Sequence, residues 1–198
     1  MEEGIEGAAT LIGMVQVLEA AKRDLRKGRI DAVIVPQGGG LIGMTPCPGM
    51  GHGNYFAHAD PRSLKADIAS MSQWGAVALV TLMEPDELGS HGIWNLPELT
   101  LRAGLRHLHL PIADMDIPDD RFEQVWIGAG PELREWLCSG QRIVLHCLAG
   151  LGRTGTIAAR LLIELGMEPG AAILAVRAAR PGTIQTIAQE QFARGCAA

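Results

Sequence analysis

Residues 142–154 read Arg142-Ile143-Val144-Leu145-His146-Cys147-Leu148-Ala149-Gly150-Leu151-Gly152-Arg153-Thr154. Arg142 to Leu145 is a short apolar strand. Beyond Thr154 the apolar residues Ile157, Ala158, Leu161, Leu162 and Leu165 share one face of a helix. A cysteine thus ends a strand, and an arginine stands six positions later in the first turn of a helix. Gly150 and Gly152 lie between them and permit positive φ angles and close backbone approach. Successive backbone N–H groups in such a loop, Leu148 to Gly152, can turn inward around an anion, and the helix N-terminus adds its positive dipole end.

The same field favours the thiolate of Cys147, the nucleophilic form of the side chain. Arg153 offers a planar fork of donors suited to two phosphate oxygens and their developing charge. Thr154 places a hydroxyl beside the sulfur, where it can stabilise a departing thiolate. The alternative, a buried structural cysteine ahead of a Gly-rich helix start, explains none of these residues together.

His146-Cys147, five intervening residues, then Arg153-Thr154 resembles the signature of the cysteine-dependent protein tyrosine and dual-specificity phosphatases. Rhodanese-type sulfurtransferases have a shorter loop, so the spacing favours phosphate over sulfur chemistry. The resemblance implies Cys147, Arg153 and Thr154 in catalysis, Leu148 to Arg153 in phosphate binding, and His146 in support. Phosphate-ester chemistry also needs a general acid, because the leaving oxygen departs poorly until it is protonated. The family carries this acid as an aspartate on a loop reading approximately Pro-Ile-x-Asp-x-x-x-Pro. Pro111-Ile112-Ala113-Asp114 and Pro118 match that register. Asp114 is therefore the candidate, and Asp116, two positions off, is the alternative; helix capping is the structural reading of the acidic run to Asp120. Gln185-Thr186 and Gln189 resemble the family's glutamine segment, which implies that Gln185 positions the water for phosphocysteine hydrolysis and that Gln189 assists. Thr186 and Gln189 also have capping-box spacing.

The 198 residues, 47% hydrophobic and 20% charged, suffice for a sizeable core. A net charge of −5 gives no basic surface for nucleic acid. Cys47, Cys138, Cys147 and Cys196 lack zinc spacing and read as reduced thiols in a cytoplasmic protein. No stretch reads as a membrane span, and Glu2-Glu3 is wrong for a secretory signal.

Ahead of the loop, Leu11, Met14, Val15, Leu18 and Ala21 form a helical stripe between Ala8 and Lys27, within an N-terminal extension of residues 1–30. Asp31–Pro36 and Leu41–Thr45 read as strands joined at Gly38-Gly39-Gly40, a hairpin turn in preference to a phosphate site. Leu41 to Gly49 resembles the first strand region of the cyclin-dependent-kinase-associated dual-specificity phosphatases. His52, His58 and Asp60 read as a surface loop in preference to a metal site. Asn54-Tyr55 lacks the basic members of the loop that walls the pocket of strictly phosphotyrosine-specific enzymes. Pro61–Trp74 reads as a helix, Ala76–Leu82 as a strand buried on both faces, Leu96–Gly104 as a helix and Leu108–Ile112 as a strand. Glu84 to Leu88 resembles the family's loop after a central strand, whose acidic residues are surface or support residues. His107 and His109 share one strand face, where partial burial is the expected role. Gly128, Gly130 and Pro131 predict a kink or a break in the helix Asp120–Cys138. Helices follow from Thr154 to Gly166, Glu168 to Arg180 and beyond Thr186.

Alternating strands and helices predict an α/β domain over residues 31–198, with a mostly parallel central sheet flanked by helices and the cradle at the carboxyl end of a central strand. The resemblance implies a dual-specificity or tyrosine phosphatase acting on a phosphorylated protein or peptide, with no metal or cofactor. A phosphoinositide or nucleotide substrate is the first alternative, disfavoured by Leu148 and Leu151 where lipid-directed relatives carry lysines. A non-catalytic phosphopeptide-binding module is the second, disfavoured by the cysteine itself.

Overall fold

The computed structural model describes residues 30–50 and 58–196. The expected helix at Ala8–Lys27, and with it residues 1–29 of the 1–30 extension, as well as His52, Asn54 and Tyr55, lie outside the described residues.

Strand β1 (Asp31–Ile34) and strand β2 (Leu41–Thr45) form an antiparallel hairpin, Asp31 facing Met44. Gly38 and Gly39 turn it at φ +78° and +74°. Gly38 cannot be replaced without collision, since a Cβ would lie 1.8 Å from the carbonyl oxygen of Cys138. Helix α1 (Pro61–Gln73) is capped by Asp60, which accepts from the Arg62 and Ser63 amides, so this carboxylate serves the helix. Strand β3 (Ala76–Thr81) is followed by a short helix, α2 (Pro85–Ser90), with a reciprocal Glu84–Glu87 capping box. The segment that resembled a family loop is thus helical, and this fixes Glu87 in direction. Helix α3 (Leu96–Arg102) leads into strand β4 (Arg106–His109).

β4 begins two residues earlier than its apolar pattern indicates, because its register is set by β3, with Ala78 opposite Arg106 and Thr81 opposite His109. Beyond it Leu110 and Ile112 still donate to the carbonyls of Thr81 and Leu82, but β3 has ended. Helix α4 (Asp120–Cys138), capped by Asp119, runs unbroken through Pro131. Of the expected kink or break, the break is not found. Pro131 removes one N–H but is exposed, so solvent can serve the carbonyl it leaves, while Phe122, Trp126, Leu133 and Leu137 bury a continuous stripe.

Strand β5 (Arg142–His146) precedes helices α5 (Gly152–Glu164), α6 (Pro169–Ala179) and α7 (Ile187–Arg194). The sheet order is β1-β2-β5-β3-β4, with every pairing except β1–β2 parallel. β5 is therefore central, and Ile143, Val144, Leu145 and His146 are buried. Helices flank the sheet, α5 packing on β2 and β5, α6 on β1, and α1 on β3. Parallel strands with helical crossovers leave a crevice at their carboxyl ends, and the loop after β5 opens there.

Candidate active site

Cys147 follows β5 directly and is 3% exposed. The loop after it is held by its carbonyls. The Leu148 oxygen accepts from the Cys47 amide at 3.0 Å, the Ala149 oxygen from Arg180 Nη2 at 3.0 Å, and the Gly150 oxygen from Arg180 Nε at 2.6 Å. In a planar trans peptide the C=O and the next N–H point in opposite directions. The amides of Ala149, Gly150 and Leu151 are thus turned away from these partners, to the inside of the loop. Gly150 makes this possible with φ +69°, and a Cβ there would lie 2.2 Å from the Thr45 oxygen. Three consecutive N–H groups at a helix N-terminus form an anion-binding concavity.

Arg153, in the first turn of α5, is 2% exposed. Its Nη1 and Nη2 donate to Glu87 Oε2 and Oε1 at 2.6 and 2.9 Å, a bidentate pair. Nη1 also donates to the Ile112 oxygen at 3.0 Å, and Nη2 pairs with Asp114 Oδ1 at 2.8 Å. Burial alone would pull the guanidinium down. The Glu87 hydrogen bonds and the charges of Cys147, Glu87 and Asp114 together outweigh it, and Arg153 is raised above its usual value. One donor, the buried Nε, has no partner among the described residues.

Of the two loop aspartates, Asp114 is the one that reaches Arg153. The Asp116 carboxylate instead accepts from the Ile117 amide at 2.8 Å. Asp114, Met115, Cys147, Leu148, Ala149, Gly152, Arg153, Gln185 and Gln189 line one cavity of about 160 Å³. The structure therefore brings together the candidate nucleophile, arginine, acid and both glutamines. Gln185 and Gln189 abut the loop at Gly152, where a Cβ would lie 2.8 Å from Gln185 Oε1 and 3.0 Å from Gln189 Oε1 and Nε2. Thr154 lies in the first turn of α5. Its Oγ1 is buried without a hydrogen-bond partner among the described residues, so it makes no bond to the sulfur here.

His146 lies behind the cysteine. Its Nδ1 is 3.3 Å from the Cys147 oxygen and its Nε2 is 2.8 Å from Thr81 Oγ1, which is in turn 2.9 Å from His107 Nε2. Burial, then the charge of His109, pulls His107 down to about 4. Burial takes His146 down to about 3 against the opposing Cys147 hydrogen bond. Both rings are neutral near pH 7, and one proton arrangement satisfies the whole chain: His107 donates to Thr81, Thr81 to His146, and His146 to the Cys147 carbonyl. His109 is half-buried with Nε2 2.8 Å from the Met83 oxygen, as its strand face predicts.

Three supporting residues were not singled out from sequence. Glu87 counted only among possible support residues. Arg180 read as the end of a helix, yet it holds two loop carbonyls and pairs with Asp31 at 2.6 Å. Arg177 Nη2 donates to the Ile184 oxygen and to Glu190 Oε2, both at 3.0 Å, and Nε to the Thr183 oxygen at 3.3 Å. It braces a segment in which Ile184 takes φ +57°. The only sequence signal for either arginine is a cation in the last turn of a helix followed by Pro181-Gly182.

A family model described as "Polymorphic toxin system, DSP-PTPase phosphatase" matches residues 53–167. The chain belongs to this family of dual-specificity and tyrosine phosphatases. Cyclin-dependent kinase inhibitor 3 of Rattus norvegicus is 30% identical over 138 residues, 66% of this chain and 62% of that protein. The chain thus spans less than two thirds of that curated relative. A crystal structure of kinase-associated phosphatase, with its catalytic-site cysteine replaced by serine, matches with TM-score 0.70 and 26% identity over 83% of this chain and 90% of the other. The active form of Tk-PTP matches in fold, with TM-score 0.61 and 22% identity over 84% of this chain and 95% of that one.

Proposed function

We propose that this chain hydrolyses phosphate monoesters of proteins through a phosphocysteine intermediate. The observation that carries the reading is Arg153, a buried guanidinium held in direction by Glu87, with an unpartnered buried Nε in the same cavity as Cys147. An immobilised cation beside a nucleophile and a ring of amides is preorganised for the charge of a transferring phosphoryl group.

In this mechanism the Cys147 thiolate attacks phosphorus while Arg153 and the loop amides hold the non-bridging oxygens. The ester P–O bond breaks, and Asp114 gives its proton to the leaving oxygen. A water oriented by Gln185 then attacks the S-phosphate and gives a proton back to Asp114. The P–S bond breaks, releasing inorganic phosphate and restoring the thiolate. His146 orients the Cys147 carbonyl from behind.

Kinship with kinase-associated phosphatases supports a phosphoprotein substrate. Among the residues lining the cavity Arg153 is the one cationic side chain, while Leu148 and Met115 are apolar. That set suits a singly phosphorylated, otherwise neutral group better than a polyanionic inositol or nucleotide. Among the described residues no helix is long and apolar enough to cross a membrane.

The test is leaving-group dependence. Wild type hydrolyses p-nitrophenyl phosphate and phosphotyrosine peptides. Asp114→Asn slows the peptide strongly, slows an alkyl phosphate such as phosphoserine most, and flattens the basic limb of kcat/KM, whereas Asp116→Asn does none of these. The reverse pattern would make Asp116 the acid, and no effect from either would place the acid elsewhere.

A further inference from the structure

Gln189 is a fully buried polar side chain at the back of the cavity. Its Oε1 accepts from the amides of Gln185 at 2.9 Å and Thr186 at 3.3 Å. Its Nε2 donates to the backbone oxygen of Asp116 at 3.1 Å. Exchanging oxygen and nitrogen in this carboxamide would set two donors against two donors and an acceptor against an acceptor, so the contacts themselves fix its orientation. One amide group thereby joins two segments, the loop carrying Asp114 and the glutamine segment, and lies close to the start of α5 at Gly152.

The loop carrying Asp114 needs such a tie. Met115 holds φ +60°, a costly conformation for a side-chain-bearing residue, and is 51% exposed. Two contacts draw residues 114–116 inward. One is the Asp114–Arg153 pair at 2.8 Å, and the other is Gln189 on the Asp116 oxygen. A phosphoryl group entering the cavity competes with Asp114 for Arg153. The Gln189 contact is neutral, involves no group that substrate engages, and is undisturbed by that competition.

We infer that Gln189 is a positioning residue that latches the Asp114 loop over the cavity when the phosphoryl group occupies Arg153. Its effect runs through Asp114, on the proton given to the leaving group and on the proton taken back from the water, and not through orienting that water. The inference rests on the reading of Asp114 as the acid.

Gln189→Glu separates the latch from the helix cap. A carboxylate still accepts from the Gln185 and Thr186 amides, preserving the Thr186 capping box, but sets an acceptor against the Asp116 oxygen. Gln189→Met removes all three bonds without adding charge. In both variants kcat/KM for phenyl phosphate falls at least tenfold more than for 2,4-dinitrophenyl phosphate, which needs little protonation. In the Asp114→Asn background neither adds to that difference. With vanadate bound, the amides of residues 115–117 exchange hydrogen at least tenfold faster in Gln189→Glu than in wild type. An equal loss for both esters or unchanged exchange overturns the latch. The exchange measurement does not depend on turnover. A wild type that binds vanadate but hydrolyses neither ester would count against the proposed function, while the exchange result still decides the latch.

Discussion

Glu87→Gln tests the support on which Arg153 depends. The substitution preserves shape and one acceptor oxygen, but removes the carboxylate charge and turns an NH2 group towards the guanidinium. Hydrogen bonds to charged groups contribute roughly 1.5–3 kcal/mol each. Breaking a well-buried ion pair costs roughly 3–5 kcal/mol. Arg153 is 1% exposed in its side chain, but Glu87 is 22% exposed and solvent screens part of the loss. Arg153 also keeps the Ile112 oxygen and Asp114. These features place the cost near the lower bound, about 2 kcal/mol, which for a chain of this size lowers Tm by about 4–8 °C. The same displacement, expressed in the transition state, lowers kcat/KM about 30-fold. Thermal melting and p-nitrophenyl phosphate kinetics read the two effects. Asp86→Asn, an exposed neighbour on α2 with the same change in charge, controls for net charge and leaves both unchanged. A Glu87→Gln variant with wild-type Tm and kcat/KM within twofold of wild type would refute the orienting role.

Two further outcomes follow from the site's surroundings. Arg180→Ala removes the donors that fix the Ala149 and Gly150 carbonyls, so vanadate inhibition weakens at least tenfold, and Arg180→Lys restores only part of it; equal inhibition in all three proteins would show that the loop holds its shape unaided. Acid stability follows from His146, whose folded value lies near 3 against the ordinary histidine value of 6.5. The unfolded chain binds the extra proton, so this stability is full above pH 6.5 and is lost as pH falls from there towards 3. Lowering the pH from 6.5 to 5.5 costs about 1 kcal/mol from this residue. Urea unfolding at the two values checks it, and an unchanged free energy would contradict a buried neutral imidazole.

Much of this site was legible because its signals are local. The strand, glycines and helix around Cys147 lie within one short run, and the Pro111-to-Pro118 register points to Asp114, which lies against Arg153. The supports were illegible because they are distant in sequence. Glu87 stands 66 positions from Arg153 and Asp31 stands 149 from Arg180, and nothing in a helix-end arginine announces which carbonyls it will meet. That the helix continues through Pro131 instead of splitting in two was illegible locally, because the buried stripe that holds it together depends on what it packs against. The start of β4 depends on its partner strand, which its own sequence does not contain.

The central claim is a covalent bond between Cys147 and phosphorus. Wild-type protein mixed with excess p-nitrophenyl phosphate, quenched in acid within the first turnovers and digested for mass spectrometry, reads it directly. The account predicts phosphate on the peptide carrying Cys147, its disappearance as substrate is exhausted, and neither adduct nor turnover in Cys147→Ser. Turnover by wild type with phosphate on no peptide, or substantial turnover by Cys147→Ser, would contradict it.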